Sequence, residues 1–271
     1  MSEFSACFLL VFGQLAFGGV VGLAVPPFEV LDRGFYRSSA GIFLGSAVAF
    51  LGGKIALITR AGHLGVADAV EVVLWTAFCV ALGLYVASLW SDSNQRRART
   101  YLASFLTGLA ALSFSALTFR LGGPVSSVLY PLAFVSAALV LGAVATGMLL
   151  GHWYLIDLGL SIEPLERLLR WFLVATWAQL AVLALTTTLV GLGSDEGEAA
   201  VARLWHDHRP LLLTRVILGP AAALAMGYLI RRTLRIPQTM AATGLFYVAI
   251  LAVMVGEMLG RLILFRTSLP L

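Results

Sequence analysis

The sequence predicts an all-α integral membrane protein, a bundle of eight transmembrane helices in a single domain over residues 1–271. Three observations lead there. Of the 271 residues 60% are hydrophobic and only 12% charged, about half the charged share of a soluble domain. In water such a chain would expose large apolar patches. This excludes an ordinary soluble enzyme, a disordered chain and a free nucleic-acid binder. The apolar residues also fall into eight runs, at about 4–25, 38–59, 66–90, 100–120, 124–150, 168–193, 210–230 and 239–265. Each supplies the roughly 20 residues a helix needs to cross a bilayer. The runs lack the short alternating pattern of a membrane β-barrel.

The first run follows Met1-Ser2-Glu3-Phe4, which has no basic flank. It is expected to stay as a helix rather than leave as a signal peptide. The connections are short, and no internal repeat is evident. The longest polar stretch, about 194–209, reads as a loop with Asp195, Glu196, Glu198 and Asp207. Pro220, inside the seventh run, is a candidate helix break. Cys7 and Cys79 lie in apolar runs and offer neither a disulfide framework nor metal spacing.

Arginine placement predicts orientation. One set of loops, with their flanks, carries Arg33, Arg37, Arg96, Arg97, Arg99, Arg167, Arg170, Arg231, Arg232 and Arg235. The other set carries Arg60, Arg120, Arg203, Arg209 and Arg266. The positive-inside rule makes the richer side cytoplasmic. Both termini then face outward, toward the periplasm of a cytoplasmic (inner) membrane. Four pairs, Gly18/Gly22, Gly41/Gly45, Gly147/Gly151 and Gly256/Gly260, have the spacing that lets helix backbones approach, and most of them read as packing devices.

Charges inside a span cost about 2.5–3.5 kcal/mol each at its centre, so they mark places worth attention. Lys54, the only lysine, lies in the second run; Glu71 begins the third; Arg215 begins the seventh; Glu257 and Arg261 share a face of the eighth at i, i+4. His63 lies between the second and third runs. All six are expected in the outer half of the bilayer, which suggests one site. Each also has a plainer reading: a snorkelling lysine, a structural ion pair, a headgroup anchor or a solvated histidine. His152, Trp153 and Tyr154 at the inner end of the fifth run read as an interfacial belt. His206 and His208 are too few for a zinc site, and no metal is expected. A bis-histidine haem usually needs two histidines at similar depth on different helices; His152 is alone at its depth, so no haem is expected, with His63 beside His206 or His208 the pairing left open.

Three segments resemble the membrane anchor subunit of dimethyl sulfoxide reductase and the related polysulfide and nitrite reductase anchors. They are Phe12-Gly13-Gln14-Leu15-Ala16-Phe17-Gly18-Gly19, His63-Leu64-Gly65 and Gly256-Glu257-Met258-Leu259-Gly260-Arg261. The resemblance implies a quinol-binding anchor, a subunit of a quinone-linked oxidoreductase rather than a stand-alone enzyme. It would pass electrons from menaquinol, or another quinone, to an iron–sulfur partner on the outer face. On that reading His63 accepts a quinol proton and Glu257 relays or neutralises charge. Arg261, Arg215 or Lys54 holds that carboxylate or polarises a quinone carbonyl, and Gln14 adds a hydrogen bond. The 194–209 segment is the expected docking surface, and the cytoplasmic arginines meet lipid headgroups. The alternative is a structural accessory subunit of a respiratory or photosynthetic complex, with no redox site of its own. A transporter lacks support from repeat symmetry, and a lipid enzyme would have only His152 and Asp157 near the inner face.

Overall fold

A computed structural model describes residues 3–62, 64–157, 159–236 and 238–271. Among these, eight helical segments are long and apolar enough to cross a membrane. They are α1 (Glu3–Gly22), α2 (Arg33–Ala61), α3 (Val66–Ser88), α4 (Asn94–Leu117), α5 (Pro124–Trp153), α6 (Glu163–Gly193), the continuous segment Arg209–Leu234, and α10 (Thr239–Thr267). The Arg209–Leu234 segment comprises α8 (Arg209–Val216), a π turn (Ile217–Ala221) and α9 (Ala222–Leu234). Each predicted run lies on one of these segments; the first, third and fourth runs overshoot the ends of α1, α3 and α4 by two or three residues, whereas α2, α4 and α6 start about five residues before their runs. Periodicity of apolar residues locates a span, whereas caps set its ends. The Asp32 carboxylate accepts from the Gly34 N–H at 2.6 Å to start α2. Ser93 does the same for the Arg96 N–H at 3.3 Å in α4. Gly62, at φ 72°, ends α2 in the left-handed conformation that glycine adopts without strain.

The helices form two four-membered rings. In the first, α1 packs on α2, α2 on α3, α3 on α4 and α4 back on α1. In the second, α5 packs on α6, α6 on α9, α9 on α10 and α10 back on α5. Short connections between antiparallel neighbours favour such up-down closure. Both halves close into rings, and the second also carries α7, α8 and the π turn, which have no counterpart in the first. The rings join where α1 crosses α5, with α4 also against α5 and α1 against α10.

Glycine makes that seam. A Cβ on Gly18 would overlap the Ala138 carbonyl, and one on Gly142 would overlap the Gly18 backbone. Gly151 and Gly147 let Thr243 and Phe246 of α10 approach α5, and Gly256 lies against Gly219 of the π turn. Three of the four expected pairs therefore pack helices. The fourth does not: a Cβ added at Gly41 or Gly45 would meet nothing within 4 Å, and both face outward from α2.

Two other expectations change. The 194–209 stretch is not a loop, because Asp195–His206 forms α7, opened by the Ser194 hydroxyl accepting from the Gly197 N–H at 3.1 Å. Its acidic first turn complements the helix dipole. Gly197, Ala200 and Leu204 are buried at i, i+3, i+7 spacing against its neighbours. Nor does Pro220 break the seventh span. The π turn absorbs the missing proline N–H and the helix continues as α9.

Candidate functional site

The intramembrane charges occupy two places rather than one. The first lies between α2 and α3. Seven residues before the end of α2, about 10 Å of rise, the Lys54 ammonium pairs with Glu71 at 2.8 Å and Asp68 at 2.9 Å. Asp68 and Glu71 stand at i, i+3 on the first turns of α3, which puts both carboxylates on the face toward α2. The Ser115 hydroxyl of α4 donates to the other Glu71 oxygen. The Trp75 indole N–H donates to Ser115 at 2.9 Å. A polar chain thus runs through the first ring: Asp68, Lys54, Glu71, Ser115, Trp75. Its exposure falls along the way, from 34% at the Asp68 side chain to 23% at Lys54 and 4% at Glu71.

Beside this chain is a cavity of about 200 Å³. Lys54 and Glu71 are its polar lining; Leu9, Phe50, Phe119 and Phe265 are among its apolar walls. Phe265 comes from α10, so both rings contribute. Its ring meets Phe119 edge-on, with centroids 5.5 Å apart. Phe50 packs on Trp75 with centroids 4.0 Å apart.

The second place is inside the second ring. Glu257 of α10 accepts from the Arg215 guanidinium of α8 at 2.7 Å and from the Gln179 amide of α6 at 2.6 Å. Arg261 approaches its other oxygen at 3.7 Å, an ion pair too long for a hydrogen bond. The Arg261 guanidinium lies over the Phe134 ring, 4.3 Å from its centroid, a cation–π contact made stronger by desolvation. Arg215, Glu257 and Arg261 each keep 1% exposure. The π turn starts two residues after Arg215, and Gly219 within it makes room for that guanidinium.

An aromatic wall links the two places. Arg261 covers Phe134, Phe134 stacks near Phe119 at 6.3 Å, and Phe119 meets Phe265 at the cavity.

No family model matches this chain, and no curated protein sequence matches it.

Of the residues expected to form one site, Lys54 therefore stands apart from Arg215, Glu257 and Arg261. Glu257 is held by Arg215 and Arg261, not by Lys54. Gln14 belongs to neither group: its amide donates to the Phe134 carbonyl at 3.3 Å, tying α1 to α5 in the seam. His63 lies outside the described residues. Its neighbours Gly62 and Leu64 are in the connection between α2 and α3, beyond the end of α2 that carries Lys54. His152 has the Tyr247 hydroxyl 3.4 Å from Nδ1, and Trp153 packs edge-on against Phe35 at 6.2 Å.

Sequence reasoning missed Asp68, Ser115 and Gln179. Asp68 and Gln179 had a signal, since a carboxylate or an amide in an apolar run demands a partner. Ser115 had none, because serine is common in membrane helices and often satisfies itself on its own backbone.

Proposed function

We propose that this chain is a quinol-binding anchor subunit of an electron-transfer complex in the cytoplasmic membrane, with the Lys54–Glu71 cavity as its headgroup site. The single observation that carries this reading is the cavity itself. It is ring-sized, aromatic-walled and otherwise apolar, and one lysine–carboxylate pair borders it. At about 200 Å³ it lies below the ~300–1,000 Å³ of sites for drug-sized ligands. It suits a quinol headgroup of one or two fused rings, with an isoprenoid tail left outside among apolar helix faces.

A quinol supplies two electrons and two protons on oxidation. The Lys54 ammonium donates a hydrogen bond to a ring oxygen. Glu71, held by Ser115 and Lys54, accepts a proton within the cavity. Asp68, a third exposed, passes it to water at the bundle end. His63, next in sequence after Gly62, is the further proton acceptor that the resemblance implies. The two electrons leave to an iron–sulfur partner on the face carrying the termini, where acidic α7 with its exposed Trp205 offers a docking surface. That face is the outer one by the arginine count. In this reading Arg215, Glu257 and Arg261 serve structure rather than quinol chemistry. Of the residues that the resemblance singles out, this reading keeps Lys54 and His63 for quinol chemistry and gives Gln14, Arg215, Glu257 and Arg261 to helix packing.

The test is binding of a short-tailed menaquinol analogue to the purified chain in nanodiscs. Lys54→Met is expected to weaken binding at least about tenfold, the loss of one charged hydrogen bond, with the protein still inserted. His63→Ala is expected to slow quinol oxidation in membranes. Unchanged affinity in Lys54→Met overturns the site.

A second reading, an accessory subunit without a redox site, is favoured by the open glycine face of α2 at Gly41, Gly45 and Gly52. Small residues on a lipid-facing helix suit close approach by another helix. Gentle extraction through a tag on this chain, with mass spectrometry of what accompanies it, separates the two. An iron–sulfur protein with quinone in the lipid extract supports the anchor. A large complex with its own quinone site supports the accessory role.

A further inference from the structure

At the arginine-rich end of the bundle, the arginines differ in what holds them. Arg33 pairs with Asp92 at 2.7 Å. Arg37 donates to the Leu89 carbonyl at 3.1 Å and lies over Trp90. Arg97 donates to Asn94 and lies over Phe28. Arg167 pairs with Glu163 at 2.6 Å. By contrast Arg170, Arg231, Arg232 and Arg235 have no ion-pair partner among the described residues. All four are exposed; Arg170, Arg231 and Arg235 line one groove, and Arg232, whose guanidinium is 5.9 Å from the Tyr228 ring centroid, lines the cavity beside it.

That groove runs between α6 and α9. A cavity of about 520 Å³ is lined by Glu166, Arg170, Leu173 and Val174 of α6 and by Arg231 and Leu234 of α9, with Arg235 at its C-cap. The α6 positions fall at i, i+4, i+7, i+8, one face of the helix. A second cavity of about 320 Å³ adjoins it, sharing Arg231 and Arg235 and adding Tyr228 and Arg232. Polarity changes with depth. The guanidinium groups lie in the last turn of α9 and near the start of α6, whereas Leu173 and Val174 lie one turn further into the span. Another turn in along α6, Trp177 is 62% exposed, and Tyr228, one turn in from Arg231 on α9, is 57% exposed. The dipole at the end of α9 amounts to about half a negative charge, and Glu166 adds one more. Together they leave most of the four positive charges unanswered.

We propose that this groove binds a membrane phospholipid carrying two phosphates. Guanidinium groups grip phosphate oxygens in pairs. Four of them match two phosphates, with Arg170 and Arg231 serving one and Arg232 and Arg235 the other. The acyl chains lie along Leu173, Val174 and Trp177. Basic pockets between spans at this end of a membrane protein are where such headgroups bind. A soluble acidic protein would meet the arginines but not the apolar depth of the groove. This site is independent of the quinol reading.

The experiment is native mass spectrometry of the full chain, washed in detergent and titrated with tetraoleoyl cardiolipin or dioleoyl phosphatidylglycerol. One cardiolipin is expected to bind at least about tenfold more tightly than phosphatidylglycerol. Two double variants remove equal charge at the same end: Arg231→Gln/Arg235→Gln in the groove and Arg96→Gln/Arg99→Gln outside it. At about fivefold per arginine, the groove double loses about 25-fold in cardiolipin affinity and the control less than about threefold. Equal affinity for the two lipids overturns the proposal, and so do equal losses in the two doubles. If the groove double fails to fold, Arg231→Lys/Arg235→Lys keeps the charge without the paired donors. It must still weaken cardiolipin, and unchanged binding overturns the proposal.

Discussion

The two rings bury charge in opposite ways. Lys54 in the first ring keeps 23% exposure, reaches a third-exposed Asp68 and borders a cavity. Arg215, Glu257 and Arg261 in the second keep 1% each and are sealed by helix packing. A group with a path to water can gain or lose a proton at moderate cost. A sealed one cannot, because the charges it leaves behind have no solvent to answer them. Deeper burial therefore favours structure over exchange with solvent: only the half-open triad offers the proposed chemistry a route for protons, whereas the sealed cluster ties α6, α8 and α10 together. Sealed pairs are often worth less than apolar replacements of the same volume while being costly to half-remove.

The sharpest break of this contrast is Glu257→Leu, which strands two guanidinium groups. It is expected to cost about 3–5 kcal/mol, read as loss of folded, extractable protein. Adding Arg215→Leu and Arg261→Leu is expected to recover much of that loss, since the three act as a unit. Recovery absent from thermal scans in detergent would place the cluster's role outside mutual neutralisation.

Next is the seam between the rings. Gly142→Ala puts a methyl into the Gly18 backbone and is expected to cost about 1–3 kcal/mol as overpacking, visible as a lowered Tm. Lys54→Met comes third. Glu71 retains Ser115 as a donor and borders the cavity, so the expected loss is only about 1–3 kcal/mol, alongside the weaker quinol binding that the proposed site requires. A stability loss equal to that of Glu257→Leu would erase the contrast. The smallest effect is Gly45→Ala on the open face of α2. With nothing in contact, it is expected to be neutral or to stabilise by about 0.5–1 kcal/mol. A marked loss in membranes, but not in detergent, would mean that another helix packs there.

Outside the spans, pH reports on one pair. The Arg33 guanidinium hydrogen-bonds Asp92 and holds its carboxyl below the ordinary range. A lowered pKa contributes stability above the ordinary carboxylate value, lost as pH falls through the folded one. Asp92 is fully exposed, so titration of Asp92→Asn is expected to differ from the parent only slightly, and only in acid.

Much of this was legible in the sequence. Eight spans followed from apolar run length alone, because a bilayer sets the length. Gly18, Gly22, Gly147, Gly151, Gly256 and Gly260 were legible as packing positions. Gly41 and Gly45 have the same spacing and no neighbour, since spacing states that a helix can be approached, not that it is. The 194–209 stretch read as a loop because its helix is polar on one side and short. Its buried stripe of Gly197, Ala200 and Leu204 is made of small or single apolar residues.

For the site, the sequence determined depth and the fold determined azimuth. Counting residues along a helix fixes how far Lys54, Glu71, Arg215, Glu257 and Arg261 lie from a span end, because rise per residue is constant. Which of them meet depends on how the helices are arranged around one another, and no local pattern encodes that. Closure of two separate rings put Lys54 with Asp68 and Glu71, and Glu257 with Gln179, Arg215 and Arg261. It also turned Gln14 into the seam and brought Phe265 across to the first ring's cavity. The sequence by itself determined a helical membrane protein whose few buried charges had to find partners. Only the tertiary structure decided the partners, because contacts between helices far apart in the chain are set by packing.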